Sequence, residues 1–231
     1  MTAEKKKKIQ WLSINVILAL LESYLCYVLM FRRGTGFDLE HLLRYVNYAN
    51  FCVFVSSWIL VIGCIVDFVT AKERAYYGFR LFRYMAVSAA SVTFVVAVFL
   101  ALPMTGFDFR PYLEDVNLLE CIVCPILAYI SFTRYGGYTD FDKKEVVIAT
   151  LPGAVYHISI VTLNRFGIMD GPYKFQMADI QSPGVTLFWA VVIIGGTYIV
   201  SNALLIVAKA HGPRGIRRTI VEKRARNRTK L

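Results

Sequence analysis

The chain has 231 residues, of which 57% are hydrophobic, 14% aromatic and only 18% charged, with a mean hydropathy of +0.52. Soluble domains carry about a quarter charged residues, so this composition excludes an ordinary soluble fold. The net charge of +10 sits at the ends of apolar segments and in the C-terminal tail, a distribution that argues against nucleic acid as a partner.

Six apolar segments follow one another, each close to the roughly 20 residues that a helix needs to cross a bilayer. The first, Ile9–Phe31, follows Lys5–Lys8 and holds Glu22 near mid-depth. It is too long for a signal-peptide core, and Arg32-Arg33 stands where a cleavage site would lie, so an uncleaved helix is expected. The second, Tyr45–Thr70, opens on Arg44, Asn47 and Asn50, whose three-residue steps place them on one helix face. The third is Leu81–Met104. The fourth, Asn117–Thr133, carries Asn117, Glu120, Cys121 and Cys124 in its first half. On it Glu120, Cys124 and Leu127 share one stripe, opposite Ile122, Val123, Ile126 and Ile130. The fifth, Val146–Asn164, contains a Pro152-Gly153 pair expected to bend it, then His157 and Asn164. The sixth, Val185–Ala208, leads into a basic tail, residues 209–231.

Lys and Arg set the expected orientation. Twenty fall on the side of the two termini, counting Lys72, Arg74, Arg80 and Arg83 in the second connection; six fall on the other side. Positive excess marks cytoplasmic loops. The expected fold is therefore an all-α, multi-pass bundle of six transmembrane helices (residues 1–208) with both termini cytoplasmic, in the cell membrane. The basic tail is expected to meet anionic lipid headgroups or a cytosolic partner, and association with further copies or other subunits is open.

With that orientation, polar groups from four helices converge on the outer half of the bundle. Ionisable residues within a span are costly and mark functional sites. Glu22, Arg44, Asn47, Asn50, Glu120 and His157 are the candidate ligand-binding residues, with Glu120 expected to face Arg44 or the asparagines of the second span. The connections 105–116 and 165–184 are expected to cap this pocket. Cys121-Ile-Val-Cys124 has the spacing of a redox pair, but no second pair relays electrons, and small apolar packing is the plainer reading. There is no phosphate loop, no H-E-x-x-H and no G-x-S-x-G. Three histidines are too scattered for a metal or haem centre, so no cofactor is expected.

The stretches "LLRYVNYANFCVF", "FRYMAVSAASVTFVVAVFLALP" and "NLLECIVCPILAYISF" resemble a group of bacterial six-helix membrane proteins, distantly similar to the androgen-induced-gene family of intramembrane lipid-ester hydrolases. The resemblance covers roughly residues 10–208 and implies the six-helix scaffold and a lipid-facing pocket. The positions matching that family's catalytic threonine and histidine hold Asn47, and Glu120 or Cys121 ahead of Pro125. An asparagine is no covalent nucleophile. The resulting expectation is an outer-leaflet polar pocket for a lipid or amphiphile, with a divergent hydrolase as one possibility. A small-solute transporter or a structural subunit of a membrane complex is the alternative.

Overall fold

The computed structural model describes residues 3–31, 43–70, 77–135, 138, 140–170 and 177–211. They are helical with short connections, and among them there is no strand. In chain order, α1 is Ala3–Phe31, α2 is Tyr45–Thr70 and α3 begins as Tyr77–Val95. A π turn, Val96–Ala101, and a last turn, Leu102–Met104, prolong α3. The core of the fourth helix, α4, is Cys124–Ile130, flanked by π turns at Leu119–Val123 and Ser131–Tyr135. Helix α5 is Lys143–Arg165 and α6 is Pro183–His211.

Five stretches are long and apolar enough to cross a membrane: Ile9–Leu29, Tyr45–Asp67, Tyr77–Met104, Lys143–Arg165 and Pro183–Ala210. They correspond to five of the six expected spans. The expected fourth, Asn117–Thr133, is helical but is not one regular α-helix. Two of the π turns, Val96–Ala101 and Leu119–Val123, each end two residues before a proline, Pro103 and Pro125. Proline supplies no N–H to the helical ladder, and a π turn is one way for the neighbouring carbonyls to re-register. Helix α5, by contrast, continues through Pro152 as a single α-helix.

Helix α3 is the hub. It packs against α2, α4, α5 and α6, while α1 packs on α2 and α4. Beyond the buried Arg83 and Tyr84, its buried residues are mostly small, among them Ala86, Ser88, Ala89, Ala90 and Ser91. Lipid offers no hydrophobic advantage to helix association, so close backbone approach through small side chains is what holds such helices together. Large apolar groups such as Phe99, Leu187, Val191, Ile199 and Ile206 point outward, as expected of a chain whose surroundings are hydrocarbon.

Two ends can be distinguished. The end carrying the start of α1 and the end of α6 (the terminal end) is tied by ion pairs between Arg80 and Asp140 and between Lys209 and Asp142. At the opposite end (the loop end), Asn164 pegs the connection after α5. Its amide donates to the Met169 carbonyl at 3.2 Å, and its side-chain oxygen accepts from the Asp179 N–H at 3.0 Å. Gly167, at φ 66°, supplies the left-handed residue that closes α5 there. Much of the basic tail, residues 212–231, lies outside the described residues, as do Arg32, Arg33, Lys72, Arg74 and Lys174.

Candidate functional site: a polar column through the bundle

Arg83, which the sequence places among the basic residues of a connection, is instead enclosed by the bundle. Helix α3 starts at Tyr77 rather than Leu81, which draws Arg83 inward, where it is 1% exposed. Six residues from the start of α3, it lies about 9 Å along the helix axis. Asn15, six residues beyond Ile9, lies at a matching depth on α1. One guanidinium nitrogen donates to the hydroxyls of Ser56 and Ser57 on α2, at 3.0 and 2.8 Å. The other donates to Asn15 Oδ1 at 3.2 Å. The same Asn15 oxygen accepts from Ser131 Oγ at 3.0 Å, and the Asn15 amide donates to the Trp11 carbonyl at 2.8 Å. One layer thus joins α1, α2, α3 and the π turn after α4.

Magnitudes explain why the arginine can stay. A cation at the centre of a spanning helix costs about 2.5–3.5 kcal/mol on insertion scales. Three intramembrane hydrogen bonds at about 0.6–1.7 kcal/mol each offset most or all of it. Arg83 also carries an unpartnered Nε.

Aromatic rings close this layer toward the terminal end. Tyr84 stacks on Phe132 at 5.0 Å, Phe132 on Tyr138 at 4.0 Å, and Tyr138 meets Phe141 edge-on at 5.2 Å. All four are buried. Arg80 covers the outer faces of Tyr138 and Phe141, with its guanidinium 5.3 and 5.0 Å from the ring centres. Burial pushes the Tyr138 phenol up to about 12, although Arg83 and Arg80 pull in the other direction.

Toward the loop end the column continues through carboxylates. Glu22, seven residues beyond Asn15 and so about 10 Å further along α1, is fully buried. The Cys124 thiol approaches its carboxyl, yet neither oxygen has a partner of full hydrogen-bond geometry. Glu22 lies within electrostatic range of both Arg83 and Glu120. Glu120 is 5% exposed, and its backbone carbonyl accepts from the Asn50 amide at 3.2 Å. The stripe expected on this helix is present only in part: Glu120 and Cys124 are buried and Ile126 is exposed, whereas Leu127 on the one side and Ile122, Val123 and Ile130 on the other are all half-buried.

Of the six candidate residues, Glu22, Asn47, Asn50, Glu120 and His157 are buried. Glu22, Asn50 and Glu120 share the column. Arg44 stands apart: it is exposed at the start of α2 and forms no ion pair with Glu120. A guanidinium at the mouth of a span reaches water more cheaply than it reaches a buried acid, which accounts for its position. Near it, Tyr45, Tyr48 and Tyr156 form an aromatic cluster, and the Tyr156 hydroxyl donates to the Leu43 carbonyl. Two hollows of about 510 and 400 Å³ lie between α5 and α6 at opposite ends of the helices. Neither is lined by Glu22, Asn47, Asn50, Glu120 or His157.

Sequence reasoning missed Arg83, Asn15 and the serines that hold them. The available signal was the spacing of Arg83 from Tyr77, the first residue of α3, which places it about a turn and a half inside the helix. Cys121 and Cys124 are free thiols. Among the described residues no cluster of His, Cys, Asp and Glu has the arrangement of a metal site. The chain is thus a multi-pass helical membrane protein with a buried charge column, and it matches no family model, no curated protein and no solved structure.

Proposed function

We propose that the protein moves a small polar solute or ion across the membrane, with Glu22 as the proton-carrying group and Arg83 as the fixed charge that sets its behaviour. The carrying observation is Glu22 itself: a fully buried carboxyl near mid-span, without a well-formed hydrogen bond, aligned with a buried arginine. Intramembrane acids of this kind serve proton relays in pumps and transporters. Transport sites near the middle of the bilayer follow the same logic. The six-helix topology and cytoplasmic termini belong to this reading, supported by the asymmetry of Lys and Arg along the chain.

Proteoliposomes loaded with a pH-sensitive dye test it. The native chain is expected to acidify or alkalinise the lumen when a solute gradient is imposed, and Glu22→Gln is expected to abolish the signal while Glu22→Asp keeps part of it. Unchanged flux in Glu22→Gln would refute the role of this acid.

A second reading, binding of a lipid or other amphiphile, is favoured by one feature. The hollow of about 400 Å³ at the loop end is walled by Val161, Phe166, Pro183 and Leu187, with Arg165 at its edge. Hydrolase chemistry, which the resemblance carries, is not part of the proposal, because Asn47, and Glu120 or Cys121, stand where its nucleophile and base belong. Co-purified lipid identified by mass spectrometry, and lost on Leu187→Trp, would favour the second reading over the first.

A further inference from the structure

The other hollow, of about 510 Å³, opens between the first turn of α5 and the last turns of α6. Its rim is cationic: Lys143 and Lys144 open α5, and Lys209 closes the span of α6. All three are exposed. The one acid on the rim, Asp142, is engaged twice, paired to Lys209 at 3.1 Å and capping the first turn of α5 in a reciprocal box with Glu145. Three cations therefore face one committed carboxylate. Below the rim the wall changes character within one turn: Asn202 gives the last polar group, and Val146, Leu205 and Ile206 continue it as hydrocarbon. Exposed apolar side chains prolong that surface down both helices, Val147 and Leu151 on α5 and Ile199 and Ile206 on α6.

The geometry points to a binding site for one anionic glycerophospholipid of the leaflet on the terminal side. The phosphate lies among Lys143, Lys144 and Lys209, and the acyl chains run along the α5–α6 seam. The volume holds a headgroup and glycerol but not the chains, which is why an apolar seam below the rim is needed. Lysine stems that lie along apolar surface with their ammonium groups at headgroup depth suit this arrangement. Clusters of basic residues beside spanning helices attract anionic lipid for the same electrostatic reason. The site is independent of the charge column and of the transport reading.

The full chain in phosphatidylcholine nanodiscs, titrated with phosphatidylglycerol and read by native mass spectrometry, tests the assignment. One phosphatidylglycerol is expected to remain bound after mild activation. The triple variant Lys143→Gln, Lys144→Gln, Lys209→Gln is expected to lower its retention at least tenfold. Ile206→Trp, which fills the seam and leaves every charge, is expected to lower it as well. Arg217→Gln with Arg218→Gln in the tail serves as the control and is expected to keep the lipid. All substituted positions of the rim are exposed, so elution profile and helical circular dichroism are expected to stay unchanged. Retention unaffected by the triple variant, or lost equally in the tail control, would overturn the site. Displacement by millimolar inorganic phosphate with no need for acyl chains would overturn the lipid as its occupant.

Discussion

Arg83 on α3 donates to Asn15 Oδ1 on α1 at 3.2 Å, and the same oxygen receives the hydroxyl of Ser131 at 3.0 Å. A single amide oxygen thus holds together a helix at the edge of the bundle, the central helix and the end of the fourth. Because an amide oxygen has two acceptor sites, Asn15 is filled by these two donors. Its amide is spent on the Trp11 carbonyl, so the side chain is fixed at both ends.

Truncating Arg83 separates packing from charge. Arg83→Ala removes a fully enclosed side chain and is expected to cost about 2–4 kcal/mol through the space it leaves. Arg83→Met keeps most of the volume and sheds a costly buried cation, so its loss is expected to be less than half of that. Arg83→Lys is expected to fall between them, because one ammonium cannot fork to Ser57 and Asn15 as a guanidinium does. Thermal unfolding in detergent ranks the three. Equal losses for Ala and Met would show that the hydrogen bonds, not the packing, carry the stability.

Gly153 on α5 faces Thr197 on α6 with no room for a side chain. A β-carbon there would lie 3.0 Å from Thr197 Oγ1, 3.1 Å from its Cγ2 and 3.4 Å from the Tyr45 hydroxyl. Thr197 cannot swing away freely, since its hydroxyl donates to the Ile193 carbonyl at 2.8 Å. Gly153→Ala is therefore expected to lower stability by about 1–3 kcal/mol, the usual cost of overpacking. Adding Thr197→Ala removes both offending atoms and is expected to restore most of the loss. A double variant no better than the single would place the strain elsewhere.

Tyr138 makes the fold sensitive to alkali. Its phenol is pushed up from 10.0 to about 12, chiefly by burial among the rings of Phe132 and Phe141. In the unfolded chain the phenol ionises near its ordinary value, so its contribution is intact below about pH 10 and is lost as pH rises toward 12. A difference of that size corresponds to about 2–3 kcal/mol. Native protein is expected to lose stability across this interval, and Tyr138→Phe is expected to lose less. Parallel melting curves for the two proteins from about pH 9 to 12 would count against the assignment.

The hydropathy pattern determined the all-helical class of this protein and five helices long and apolar enough to cross a membrane, because a single apolar segment in hydrocarbon satisfies its own backbone groups only as a helix. The spacing told that Glu120 and Cys124 are buried and Ile126 exposed, but not the half-buried Leu127, Ile122, Val123 and Ile130 beside them. What the pattern could not determine was which polar groups meet. Glu22, Asn50 and Glu120 come together with Arg83 only because α1, α2, α3 and α4 pack around one axis, whereas Arg44, close in sequence to the asparagines, turns outward. Arg83, two residues inside an expected span that begins at Leu81, counts by sequence with the charges of the connection, since charge alone reads as a topology signal when its depth is unknown. The helix begins four residues earlier, at Tyr77, and carries it deeper. The depth of a side chain follows from where its helix begins, and its partners from helices far away in sequence. Packing fixes both, through contacts that no local period encodes.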